Sequence, residues 1–279
     1  MKKTYIYLLI LLLPLCVLAQ SLEYKQENGV SYLDPSLESI SDYQKQMCLL
    51  DIYYPKTKEK VPVIVWFHGG GLTSGSREIP EALKNKGCIV VGVGYRLAPR
   101  IKAEICIDDA VASIAWVFKN INNYNGDVNS IFISGHSAGG YLALMAVMNK
   151  DLLKKYDIDA DKVAGLVPFS GHTITHFEIR AERGIPGKQA VVDEFAPLHF
   201  VRKGVPPMLL ITGDRELEML GRYEENAYFY RMMKVAGNKN IMIYEMDGYG
   251  HMMVDPALPL LLNFVESKTK LKHSSRIKS

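Results

Sequence analysis

Ile131-Phe132-Ile133-Ser134-Gly135-His136-Ser137-Ala138-Gly139-Gly140 begins as a short apolar run and stops at a serine flanked by glycines. Residues 131 to 134 have the character of a buried strand, and Tyr141-Leu142-Ala143-Leu144-Met145 has that of the helix that follows. A serine at such a corner is lifted out of the sheet on a strained turn, beside backbone N–H groups at the start of a helix. Gly135 and Gly139 fit because side chains there would strike the neighbouring strand and helix. An ordinary strand-turn-helix junction capped by a serine would share these five residues, so their weight comes from what flanks them.

Upstream, Leu49 to Tyr54 alternates like a strand, and Pro62-Val63-Ile64-Val65-Trp66-Phe67 is the unbroken apolar run of a strand buried on both faces. That run ends at His68-Gly69-Gly70-Gly71. Residues 79 to 86 read as helical, Cys88 to Val93 as another buried strand, and Ile107 to Asn120 as a helix. Downstream come a helix over 140 to 149 and strands at Val163 to Phe169, Met208 to Ile211 and Ile241 to Glu245. Helices are expected near 222 to 236 and 256 to 267. Strands alternating with helices predict an α/β fold, a mostly parallel sheet covered on both faces. Two stretches break the rhythm, about 21–47 and 170–205, and are expected to form cap elements on one domain spanning 20–279.

A serine hydroxyl is a weak nucleophile until a base takes its proton. The candidate base is His251, in Asp247-Gly248-Tyr249-Gly250-His251 after the last strand. His136 is closer in sequence but is expected to pack beside the corner. His172 and His176 stand four apart, a metal-compatible spacing, yet lack other obvious ligands and read as residues packed near a pocket. When an ester carbonyl is attacked its oxygen gains charge and needs donors already in place. The backbone N–H groups of Gly69, Gly70 and Ala138 are the candidates for that oxyanion hole.

The leader and the charge balance set the remaining bounds. Met1-Lys2-Lys3, an apolar stretch from Tyr5 to Ala19 interrupted by Pro14, and a small-residue end at Ala19 read as a signal peptide over 1–19. The run is short for a membrane span. A lipoprotein signal at Cys16 is disfavoured by Leu15 in front of it. Secretion or periplasmic export is therefore expected, with no stable membrane span after cleavage. Net charge is +3, of which Lys2 and Lys3 contribute two, leaving +1 and no case for a nucleic-acid partner. The basic tail (Lys268, Lys270, Lys272, Arg276, Lys278) is expected to be a frayed end. Cys48, Cys88 and Cys106 are too few for a disulfide framework.

Taken together, His68-Gly69-Gly70-Gly71, Tyr95-Arg96-Leu97-Ala98-Pro99, Gly126-Asp127 and Gly135-His136-Ser137-Ala138-Gly139-Gly140 with Gly250-His251 resemble the α/β-hydrolase superfamily. Within it they resemble the esterases similar to hormone-sensitive lipase and the secreted carboxylesterases, over about Leu49 to Val265. The resemblance implies a triad in the order serine, acid, histidine, with no cofactor and no metal. The acid in that family usually stands three residues beyond a glycine such as Gly213, which selects Glu216, with Asp214 as the alternate. Asp247 and Asp255 read as flanking-loop residues.

The expected activity is hydrolysis of small carboxylic esters, acetyl or short-acyl, on a small-molecule or carbohydrate alcohol. An amidase or peptidase on the same fold ranks second, since no accessory domain is there to select peptides. A non-catalytic binding protein on a hydrolase scaffold ranks below both, because serine and histidine are each retained.

Overall fold

The structure, a computed structural model, describes residues 22–36 and 39–276. The leader read at 1–19, with Cys16, lies outside the described residues. Strand β1 (Tyr24–Ser31) is followed by helix α1 (Asp42–Met47), which starts on a capping box between Ser41 and Gln44. Strands β2 (Leu49–Pro55), β3 (Val61–Phe67) and β4 (Ile89–Val93) lead to helix α2 (Ile105–Asn120). The centre is β5 (Gly126–His136) and α3 (Ala138–Met148), then the short α4 (Lys150–Lys154) and β6 (Gly165–Phe169). Helix α5 (Phe177–Glu182), β7 (Met208–Gly213), α6 (Arg222–Val235), β8 (Ile241–Met246) and α7 (Val254–Arg276) complete the chain.

Among the described residues the eight strands form one sheet in the order β1-β2-β4-β3-β5-β6-β7-β8. The pairs β1–β2 and β2–β4 are antiparallel and the rest parallel. The apolar runs of β3 and β5 divide cleanly between the faces. Val63, Val65, Phe67, Ile131 and Ile133 join one core with residues of α2, α3 and α6. Ile64, Trp66 and Phe132 join the other, against Leu258, Leu261 and Phe264 of α7. The runs Val63 to Phe67 and Ile131 to Ile133 are thus unbroken because both faces of each strand are covered there.

Register carries the functional consequence. Phe67 pairs with Gly135, His136 with Phe169, Phe169 with Ile211, and Gly213 with Met246. The carboxyl ends of β3, β5, β6, β7 and β8 therefore stop at one level, and five loops emerge side by side. In parallel sheets this end is where ligands bind.

Three expectations need correction. Part of the segment expected as a cap at 21–47 is the edge strand β1, paired with β2 from Tyr24↔Pro55 to Ser31↔Leu49. Most of its residues are exposed, so it has no apolar period to read. The helix expected at 79–86 shrinks to a single 3₁₀ turn at Glu81–Leu83, cut short by Asn85 and Gly87, both at positive φ. The closing helix α7 extends well past 267, so residues read as a frayed basic tail continue it to Arg276. Cys48, Cys88 and Cys106 are buried free thiols, and burial pushes the Cys88 thiol up to about 12.

Candidate active site

Ser137 sits at φ 54° and ψ −116° between β5 and α3, a conformation that non-glycine residues rarely adopt. The turn is held by the bond from Ser137 N–H to the Phe169 carbonyl, 2.8 Å, while the Ser137 carbonyl accepts from Tyr141 N–H to start the helix. The N–H groups of Ala138, Gly139 and Gly140 precede that first helical bond, where a helix leaves its donors without intrahelical partners.

His251 closes on this serine from the loop after β8. Its Nε2 is 2.9 Å from Ser137 Oγ, and its Nδ1 is 2.5 Å from Oε1 of Glu218. Only an Nδ1–H can donate to a carboxylate, which leaves Nε2 free to accept the serine proton. His136 does not compete for that role. Its Nε2–H donates to the His251 carbonyl at 2.9 Å, so it holds the loop from beside the corner. Burial first, and the neighbouring His251 second, push the His136 imidazole down to about 4, keeping it neutral.

The acid is where the geometry departs from the sequence reading. Glu216 is exposed, and its N–H donates to Oδ1 of Asp214 at 2.9 Å. Oδ2 of Asp214 accepts from Gly248 N–H at 2.9 Å, so Asp214 is a loop tie and not the partner of His251. The carboxylate beside His251 is Glu218, and neither Glu216 nor Asp214 takes that place. The reason is a turn of helix: Leu217 N–H and Glu218 N–H both donate to the Asp214 carbonyl. Residue 218 thereby swings back under β7 while residue 216 points to water. Oε2 of Glu218 accepts from Gly213 N–H at 3.0 Å and from the Ser170 hydroxyl at 2.7 Å. Oε1 also accepts from Met219 N–H at 2.8 Å. Burial would raise this carboxyl, but the bonds from His251, Ser170 and Met219 outweigh it and bring the group down to about 2. A stretch of three acids within five residues, Asp214, Glu216 and Glu218, was the available signal, and the helical repeat after the Asp214 turn points to the last of them. Ser170 and Arg222 carried no sequence signal at all.

The glycine run passes directly against the serine turn. A Cβ built on Gly69 would lie 3.5 Å from Ser137 Cβ and 3.1 Å from His136 Nδ1. Gly70, at φ +112°, accepts at its carbonyl from Thr73 N–H and Ser74 N–H, and a Cβ there would meet the Ser74 carbonyl oxygen at 2.1 Å. Only glycine makes this bend. Tyr95 anchors its base, donating to the His68 carbonyl at 2.8 Å with its ring stacked on the His68 imidazole. Above the run lies α5, with Phe177 Cζ 3.2 Å from a Cβ built on Gly71. The stretch 170–205 holds only this six-residue helix and a 3₁₀ turn at Pro197–Phe200 as helical structure.

His172 and His176 are in ring contact at 4.9 Å, but each is already engaged. His172 donates from Nδ1 to Glu225 at 2.7 Å and accepts at Nε2 from Arg222 at 2.7 Å, while His176 caps α5 through Nδ1. Among the described residues no group of three or more His, Cys, Asp or Glu is placed to hold a metal. No described helix is long and apolar enough to cross a membrane.

A strained serine turn, a histidine and a buried carboxylate joined by hydrogen bonds at the carboxyl edge of a mostly parallel sheet have the layout of an α/β-hydrolase. The profile of the BD-FAE family matches residues 50–173, the part that holds the glycine run and the serine turn. The esterase LipC of Mycobacterium tuberculosis is 25% identical over 263 residues, which cover 85% of this chain and 62% of LipC. The chain thus spans less than two thirds of that relative. Among solved structures, esterase B from Lactobacillus rhamnosis superposes with a TM-score of 0.69 at 18% identity, over 91% of this chain and 89% of that one. Thermogutta terrifontis esterase 2, solved phosphoramylated by tabun, gives 0.65 at 25% identity over 89% and 93%. The chain thus has the α/β-hydrolase fold, and its sequence is similar to those of esterases that share it.

Proposed function

We propose that this chain hydrolyses small carboxylic esters through an acyl-enzyme on Ser137. The observation that carries the reading is the continuous relay from Ser137 Oγ to His251 and on to Glu218, set at the same strand level as the Gly69–Gly70 loop. His251 Nε2 takes the serine proton as Oγ bonds to the ester carbonyl carbon. The oxygen that becomes anionic is received by the N–H groups of Gly69, Gly70 and Ala138. Collapse expels the alcohol, protonated by His251, and water repeats the sequence to release the acid and restore Oγ–H. Glu218 holds the Nδ1–H tautomer and balances the imidazolium formed at each step.

Short acyl groups, acetate first, are the proposed substrates, on a small or carbohydrate alcohol. Support comes from the region 170–205, whose only α-helix is six residues long, and from Phe177 lying close over the glycine run. Export is proposed on the leader pattern of residues 1–19 alone, and the mass of the mature N-terminus tests it.

A panel of p-nitrophenyl esters of rising chain length, run beside acetylated xylan, tests the activity. Acetate esters should be cleaved fastest, and Ser137→Ala should lose roughly four to six orders of magnitude in kcat while remaining folded. Substantial hydrolysis by Ser137→Ala would rule out the covalent route. Faster turnover of emulsified long-chain esters would rule out the short-acyl preference.

A further inference from the structure

Ser170, the first residue after β6, is held in an unusual way. It has φ +47°, a left-handed conformation uncommon outside glycine. Its N–H donates to the Ile211 carbonyl of β7 at 2.7 Å. Its carbonyl accepts from Nη1 of Arg222. Its hydroxyl is 2.7 Å from Glu218 Oε2 and 3.1 Å from His251 Nδ1, so one oxygen stands between acid and base.

Arg222 is almost wholly buried and has partners on every side. Nε donates to Glu225 Oε1 at 2.9 Å and Nη2 to His172 Nε2 at 2.7 Å. Glu225 accepts in turn from His172 Nδ1 and, at 3.1 Å each, from Thr173 N–H and Ile174 N–H. Burying such a group of charges brings little net stability, and an apolar packing would serve the core as well. Its output is one fixed carbonyl, that of Ser170, and through it a backbone strain that needs an explanation.

We propose that Ser170 is a positioning residue for this hydrolysis, locking the Glu218 carboxylate so that Oε1 faces His251, with Arg222 clamping Ser170 in the strained conformation that allows it. The inference rests on the ester-hydrolase reading above. Glutamate has one more rotatable bond than aspartate, so an acid of this length needs its second oxygen held. Without the hydroxyl, Oε2 keeps only the Gly213 N–H. The hydroxyl never meets the ester, so it acts through Glu218.

Ser170→Gly tests this, because glycine keeps both backbone bonds and accepts φ +47° without strain. Relief of the backbone strain and loss of one hydrogen bond to Glu218 oppose each other, so thermal stability should stay close to that of the parent. With a p-nitrophenyl acetate substrate, kcat should fall roughly 10-fold with KM within about two-fold, and in a Glu218→Gln background the same change should alter kcat less than about two-fold. The His251 Nδ1 proton gives a second readout by NMR that needs no turnover. Its low-field resonance should be present in the parent protein, absent in Glu218→Gln, and shifted upfield or broadened in Ser170→Gly. A parent protein that cleaves no ester would therefore sink the activity and leave the positioning role to be judged by that resonance. An unchanged kcat and resonance in Ser170→Gly would overturn the proposal. So would an equal loss in the Glu218→Gln background, or a loss accompanied by markedly lower stability.

Discussion

The turn at Ser137 and the loop from Asp214 to Gly221 deliver reactive side chains to the same point, and they are held in opposite ways. At the serine turn backbone lies on backbone. A Cβ on Gly139 would sit 2.1 Å from the Phe67 carbonyl oxygen, and one on Gly135 would sit 2.7 Å from the Gly139 carbonyl carbon. In the acid loop side chains do the holding. Glu218 is fixed by Ser170, His251 and two backbone donors, and Asp214 ties the loop to Gly248. The first arrangement admits one residue type at each contact. The second admits several carboxylates locally and selects among them only by what lies across the gap.

The sharpest way to break that contrast is to exchange the acids. Glu218→Gln should lower kcat by about four orders of magnitude, since an amide cannot hold the His251 tautomer or balance its charge. Glu216→Gln should stay within about two-fold of the parent. Steady-state kinetics on a short-chain ester decides, and a crippled Glu216→Gln would reverse the assignment.

Gly139→Ala probes the other side. Its methyl has nowhere to go but into the Phe67 carbonyl, so the turn must open, at about 3 kcal/mol or more. Denaturant midpoints should show the loss together with the loss of activity. A stable, active Gly139→Ala protein would mean the backbone contact is looser than described.

Acid titration sharpens the contrast next. Desolvation by burial lowers His68, His136, His172 and His176, the first two to about 4. Unfolded, they protonate near 6.5, so the unfolded chain binds more protons below that pH and stability is lost as pH falls from 6.5 through 4. The loss should be on the order of 3 kcal/mol for each of His68 and His136. Glu218, depressed to about 2, adds a separate loss only below about 4.5. Unfolding free energies between pH 7 and 4 should therefore decline, less steeply in His68→Gln. A flat profile would contradict the burial of these rings.

The smallest effect belongs to Asp214→Asn. Hydrogen bonds from the Gly248 and Glu216 N–H groups lower the Asp214 carboxyl, and an asparagine oxygen can still accept one of them. A fall in kcat of no more than about five-fold is expected, from a looser His251 loop. A loss as large as that of Glu218→Gln would place Asp214 in the relay.

The amino-acid sequence alone determined the parallel sheet, the serine turn, the glycine bend and the pairing of Ser137 with His251. Each is written in local pattern: unbroken apolar strands such as Val63 to Phe67, glycines where backbones touch, and a histidine in the loop after the last strand. Tertiary structure alone decided the edge strand Tyr24–Ser31, the choice of Glu218 as the carboxylate beside His251, and the contacts that Ser170 and Arg222 make behind it. The edge strand is too exposed to show an apolar period. Glu218 is chosen by a hydroxyl 48 residues away and an imidazole 33 residues away. Hydrogen bonds between side chains so far apart leave no periodicity or spacing in the chain. They exist only once the sheet has brought the ends of β6, β7 and β8 to one level.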